Sequence, residues 1–157
     1  MFILRKYYRL TKEERESLLA KLTETLKKMK GVKVAYLFGS LSQERLSVKD
    51  VDVAILMDEQ NASKRLRVEE AIRSELAPKT YPLPVDVVLL NGATALFRHE
   101  VIKTGKTLFA RNREERIQFE VASENEYFDF EPIRNLFFKV TEKRLSEGSF
   151  GFEKLRS

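Results

Sequence analysis

Between Val34 and Leu56 the chain carries two apolar runs joined by a polar loop, and the second run begins with two aspartates one residue apart. The first is Val34-Ala35-Tyr36-Leu37-Phe38, ending in Gly39-Ser40; nine residues later comes Asp50-Val51-Asp52-Val53-Ala54-Ile55-Leu56. This pattern restricts the fold more than any other stretch. Residues i and i+2 of a strand share a face. Asp50 and Asp52 therefore project side by side, while Val51, Val53 and Ile55 face the other way. Neighbouring carboxylates raise one another's pKa unless something positive stands between them. A divalent cation relieves that repulsion, and oxygen-only ligands favour Mg²⁺ or Mn²⁺.

A chain of 157 residues with 43% hydrophobic content is long enough for one domain with a proper core. The expected division is a single domain over 1–157: a core of about 11–110, a helical extension of about 112–145 and a basic tail over 146–157. The absence of cysteine excludes disulfides and thiolate metal sites, leaving carboxylates and the single His99 as metal ligands. The net charge of +5, with a pI near 9.4, suits a polyanionic partner such as a nucleotide or RNA, an acidic protein, or simply a well-solvated surface. No apolar run approaches the ~20 residues of a membrane span, and the start, Met1-Phe-Ile-Leu-Arg-Lys-Tyr-Tyr-Arg9, is not a signal peptide. A cytoplasmic protein without membrane association is expected.

Thr11, with Glu14 three residues on, is a capping box. Leu18, Leu19, Leu22, Leu26 and Met29 then repeat at helical spacing as far as Gly31. Strands are expected over Val32–Phe38 and Val51–Met57, with a polar loop or one helical turn over Leu41–Val48. Asn61 or Ser63 should cap a helix to about Ala77, after which Pro78, Pro82 and Pro84 fix an extended connection. Pro84–Leu90 reads as a third strand, Asn91 as the cap of a helix ending at Gly105, and Lys106–Ala110 as a fourth strand. From Asn112 one helix should run to about Phe128, and Pro132 should begin another. The order predicts an α/β (α+β) fold, a small mixed sheet with helices packed on it.

Asp86 lies among Val85, Val87, Val88, Leu89 and Leu90, where an ionised side chain is costly unless paired or metal-bound. It is either a residue at the strand's exposed edge satisfied by a Lys or the third member of a carboxylate cluster with Asp50 and Asp52. Gly39 at a strand end lets backbone N–H groups turn towards an anion, and Ser40 adds a hydroxyl donor. His99 reads first as structural. Tyr36 and Phe38 read as core before base-stacking residues, and Lys64, Arg65 and Arg67 as a solvated face before one that meets a partner. Phe128, Phe130, Phe137 and Phe138 exceed what a small sheet needs to cover it; they fit either a protein interface or additional helical core.

Leu37-Phe38-Gly39-Ser40, Asp50-Val51-Asp52-Val53 and Val85-Asp86-Val87 together resemble the polymerase-β-type nucleotidyltransferase superfamily, and more closely its minimal nucleotidyltransferase (MNT) branch. Leu89–Ala93, Arg98–Phe109 and Phe119-Glu120…Tyr127-Phe128-Asp129 are similar to that branch as well. The resemblance implies the polymerase-β-like fold and an Mg²⁺- or Mn²⁺-dependent transfer of AMP from ATP. Asp50 and Asp52 would bind the metal, Asp86 would complete the inner metal and help draw a proton from the attacking hydroxyl, and Gly39 and Ser40 would hold the β- and γ-phosphates. It further implies the antitoxin half of a pair whose toxin is a HEPN-domain protein, modified on a tyrosine. An aminoglycoside-type small-molecule acceptor and a non-catalytic toxin-binding module are the alternatives, and homo-oligomerisation stays open. The chain departs from the pattern after Gly-Ser, where Leu41-Ser42-Gln43-Glu44 replaces a small residue and Arg-Gly; Arg45 is the nearest substitute. Lys49 also stands where a Ser commonly precedes the first Asp.

Overall fold

The computed structural model describes residues 7–43, 47–58 and 61–147. Glu44, Arg45 and the tail from Gly148 onward lie outside the described residues. In chain order the elements are β1 (Tyr8–Arg9), α1 (Lys12–Lys28), β2 (Val32–Phe38), a 3-10 turn (Ser40–Gln43), β3 (Ser47–Val48), β4 (Val51–Met57), a second 3-10 turn (Ala62–Lys64), α2 (Arg65–Thr80), β5 (Val85–Leu89), α3 (Ala95–Thr104), β6 (Lys106–Ala110) and α4 (Arg113–Ser146).

The main sheet has the order β5-β4-β2-β6, with β2 antiparallel to both its neighbours and β4 parallel to β5. Odd-numbered residues of β4 and β5, among them Val51, Val53, Ile55, Val85, Val87 and Leu89, turn to one face. There they meet Leu18, Leu22 and Leu26 of α1 and Ile72 and Leu76 of α2. The opposite face carries Val34, Tyr36, Ala54 and Leu90 under Val101 and Phe97 of α3 and Phe119 of α4. Helices thus cover both faces, and α2 is the crossover that parallel strands require.

Thr11 caps α1 as its sequence predicts, its Oγ1 accepting from Glu14 N–H at 3.1 Å. Four expectations differ. Leu41–Val48 is not wholly loop or turn, because Ser47–Val48 pairs with Tyr8–Arg9 as a small separate sheet. The second helix does not end before Pro78 but runs on to Thr80; a missing N–H in the final turn leaves only an exposed carbonyl unpaired. Thr94, not Asn91, caps α3, because the Asn91 amide is engaged elsewhere: it accepts from Met57 N–H and donates to Met57 C=O, both at 2.9 Å.

Finally, Pro132 does not divide two helices. It lies inside one helix of 34 residues, roughly 50 Å long. A proline disrupts the carbonyl ladder of the preceding turn. Arg134 reaches back over the same stretch, donating to Tyr127 C=O at 2.8 Å while its guanidinium lies 3.8 Å from the Tyr127 ring centre.

Candidate active site

β2 ends where β4 and β5 begin, so one end of the sheet gathers the loop after Phe38 and the first residues of both neighbouring strands. In register, Phe38 pairs with Asp52, and Asp52 with Asp86. The two aspartates and Phe38 therefore form one row across the sheet, on the face shared with Ala54 and Val88. Parallel pairing places them there, since directly opposed residues project from the same face. Asp50 precedes β4 and adds its carboxylate beside Asp52, close enough to raise the pKa of that acid.

Asp52 is half-buried. Burial first, then the charges of Asp50 and Asp86, raise its carboxyl from the ordinary value to about 6, and Lys49 opposes the rise. Lys49, one of the departures from the family pattern, is thus a cation placed to act on the acids.

Gly39 has φ +75°, and a Cβ built there would overlap Asp52 Oδ2. Both the backbone angle and the space require glycine, and the turn consequently lies directly against the acid. Ser42 Oγ donates to Gly39 C=O at 2.6 Å and closes the 3-10 turn from within. Arg15 Nη1 donates to Leu41 C=O at 2.8 Å, tying the turn to α1. Ser40 Oγ is buried with no hydrogen-bond partner. A buried hydroxyl left unpaired costs on the order of 1–3 kcal/mol, so its position beside the acids suits an oxygen-bearing ligand.

Asp86 lies in the row, but its carboxylate is largely exposed and stands 3.7 Å from Arg73 Nη2. The exposed position expected of an edge residue is thus found, with Arg73 rather than a lysine as its cation, and Asp86 pairs in register with Asp52. Among the described residues no group of three or more His, Asp or Glu side chains is drawn together as a metal cage. Asp50 and Asp52 nonetheless offer oxygen ligands whose charges repel one another, chemistry that suits a hard divalent cation.

The remaining candidates resolve into structure. Tyr36 is buried and its hydroxyl donates to Glu120 Oε1 at 2.8 Å; burial and that carboxylate push the phenol above its ordinary pKa. Phe38 meets Phe97 edge-on at 5.6 Å. His99 stacks on Tyr127 at 3.7 Å and shares a 2.8 Å hydrogen bond with Glu124, so it joins α3 to α4. Phe128, Phe130, Phe137 and Phe138 are exposed on α4.

Sequence reasoning missed Arg73 and misjudged Arg65. Arg65, Glu69 and Arg73 repeat at i, i+4 and i+8 on α2, a signal that one helix face carries all three. That this face runs along edge strand β5 is visible only in the fold: Glu69 Oε1 accepts from Leu89 N–H at 3.2 Å, and Arg65 lies against Gly92.

The sequence model described as "Polymerase beta, Nucleotidyltransferase" matches residues 20–114. No curated protein matches the chain. Solved structures superpose on most of it. A chain of a tri-AMPylated Shewanella oneidensis HEPN toxin in complex with MNT antitoxin is 22% identical with a TM-score of 0.61, the match covering 82% of this chain and 98% of that one. A toxin–antitoxin structure with AMP-PNP is 24% identical at TM-score 0.62, covering 79% and 98%. The toxin–antitoxin MntA-HepT is 21% identical at TM-score 0.60, covering 81% and 98%. The small mixed sheet with its helices is thus the polymerase-β-like nucleotidyltransferase fold.

Proposed function

The chain belongs to the polymerase-β nucleotidyltransferase family, and from that premise we propose that it is an Mg²⁺- or Mn²⁺-dependent adenylyltransferase. It moves AMP from ATP to a tyrosine hydroxyl of a HEPN-type toxin and so serves as that toxin's antitoxin. The observation that carries the reading is the contact of Gly39 with Asp52: a turn able to hold phosphate is seated on the paired acids with no room for a side chain between them. The likeness to structures described as a tri-AMPylated HEPN toxin with MNT antitoxin, and as a toxin–antitoxin with AMP-PNP, suggests the donor and the acceptor.

Asp50 and Asp52 would hold the metal, and Asp86 would join them on leaving Arg73. Once bound, the cation screens the triphosphate and the departing pyrophosphate. The N–H groups of the Gly39–Ser40 turn and the unpartnered Ser40 hydroxyl orient the β- and γ-phosphates. Asp86, at the other end of the row, accepts the proton of the attacking hydroxyl. Gln43 itself offers the phosphates no charge, and the turn and the metal would hold them.

The C-terminal half of α4 supports a protein partner. Phe130, Ile133, Phe137 and Val140 follow a three-four spacing and are all exposed. A continuous apolar row of this kind suits another helix. No helix among the described residues is long and apolar enough to cross a membrane.

The test is incubation with labelled ATP, Mg²⁺ and the product of the adjacent gene. Label should appear on the partner and vanish with Asp50→Asn plus Asp52→Asn. An unlabelled partner, with an active control enzyme, sinks the proposal. The Asp86–Arg73 pair favours a second reading, a module that neutralises its partner by binding alone. Full neutralisation by the double variant would select it.

A further inference from the structure

We propose that the cavity between β5, the first half of α2 and the start of α3 receives the aromatic side chain that is to be modified. The inference rests on the adenylyl-transfer reading and names its acceptor pocket. The cavity measures about 410 Å³ and is lined by Arg65, Glu69, Val88, Gly92, Thr94 and Phe97, with Leu89 and Ala93 completing it.

Position is the first argument. Val88 follows Asp86 by two residues on the same face of β5, roughly 6.6 Å further along the strand. The turn at Gly39–Ser40 lies beyond Asp52 at the opposite end of the row. In-line displacement brings the nucleophile in opposite the leaving group. With pyrophosphate over Gly39–Ser40, the hydroxyl must approach from the Asp86 side of the row, the side on which Val88 lines the cavity.

The lining is the second. The Phe97 ring is fixed by its edge contact with Phe38 and, with Val88, offers apolar walls to a flat ring. Arg65 Nε is buried without a hydrogen-bond partner. Gly92, at φ +102°, makes room for this guanidinium, which a Cβ there would overlap. A donor built in and left unpaired calls for an acceptor such as a carbonyl of the incoming chain. Glu69 occupies the Leu89 N–H, which closes that point of the β5 edge to a pairing strand and favours insertion of a side chain.

In the step itself the phenolic oxygen bonds to the α-phosphorus of ATP. The bond from that phosphorus to the bridging oxygen breaks, pyrophosphate leaves with the electron pair, and the phenol proton passes to Asp86 and on to solvent.

Val88→Trp fills the cavity and Arg65→Met removes its donor. Each is assayed with Mg²⁺, ATP and the adjacent-gene product, while AMP-PNP binding is measured separately by calorimetry. The expected result is a KM for the partner raised tenfold or more, with AMP-PNP affinity within twofold of wild type. Weakened AMP-PNP binding with an unchanged partner KM would assign the cavity to the nucleotide base and overturn the proposal. No change in either quantity would overturn it too. A wild type that labels nothing overturns the adenylyl-transfer reading and this inference together; a wild type that labels, matched by both variants, overturns the cavity alone. Arg65→Met, at a partly exposed position, keeps the test decisive if Val88→Trp misfolds.

Discussion

Arg73 Nη2 stands 3.7 Å from Asp86 Oδ1 at the rim of the sheet, and the same guanidinium donates through Nη1 to Glu70 Oε1 at 2.8 Å. Arg73 thereby attends the third acid of the row, and Glu70 holds Arg73. Exposed pairs of this kind are worth about 0–1 kcal/mol. Arg73→Gln should therefore tighten Mg²⁺ binding only modestly, by about two- to fivefold. Calorimetric Mg²⁺ titration in the presence of AMP-PNP checks this; weaker binding would mean that Arg73 serves the nucleotide rather than restraining Asp86.

The raised pKa of Asp52, about 6, fixes the sign of a pH effect. The folded state holds this proton more tightly than the unfolded one, so the stability it confers is present at low pH and is lost as pH rises from about 4 through 6. Asp52→Asn removes the dependence. Without metal above pH 7 the variant should be the more stable, by on the order of 1 kcal/mol once solvent screening of a half-exposed group is allowed for. Melting curves of both proteins between pH 4 and 8, with EDTA, should diverge as pH rises; Mg²⁺ should stabilise the wild type alone.

Gly39→Ala forces a Cβ onto Asp52 Oδ2 at a backbone angle that L residues avoid. The expected cost is about 1–3 kcal/mol, together with loss of AMP-PNP binding. Thermal denaturation and nucleotide titration measure the two effects. A variant that binds the analogue normally would remove this turn from the phosphate site.

Tyr36→Phe deletes the hydroxyl that donates to Glu120 Oε1 from inside the second core. Glu120 keeps Arg116 at 3.3 Å, so the loss should stay near 1 kcal/mol. Chemical denaturation reads it. A neutral result would mean that this bond does not help hold α4 on the sheet.

Ile133 and Phe137 are 63% and 66% exposed, so replacing both with Asp should leave the melting temperature almost unchanged. Co-purification with the adjacent-gene product should fail if the α4 row is the partner surface. A stable variant that retains its partner would place the interface elsewhere.

Local periodicity made much of the fold legible. β2 and β4 span the residues their apolar patterns mark, and Thr11 caps α1, because a strand's alternation and a cap's hydrogen bond are settled within a few neighbouring residues. The same locality misled where a distant group intervened. Asn91 looks like a cap but spans to Met57, and Pro132 looks like a boundary but lies within α4.

For the site, the sequence by itself determined that Asp50 and Asp52 stand one residue apart at the start of a strand and that a glycine turn precedes them, since the apolar run that follows them marks where that strand lies. Only the tertiary structure decided that Asp86 stands opposite Asp52, that Gly39 touches that acid, and that Arg73 and Arg65 reach the edge of β5. Those relations depend on which strands become neighbours and in what register. Packing of α1 and α2 on one face and of α3 and α4 on the other fixes both, and residues far apart in the chain supply that packing.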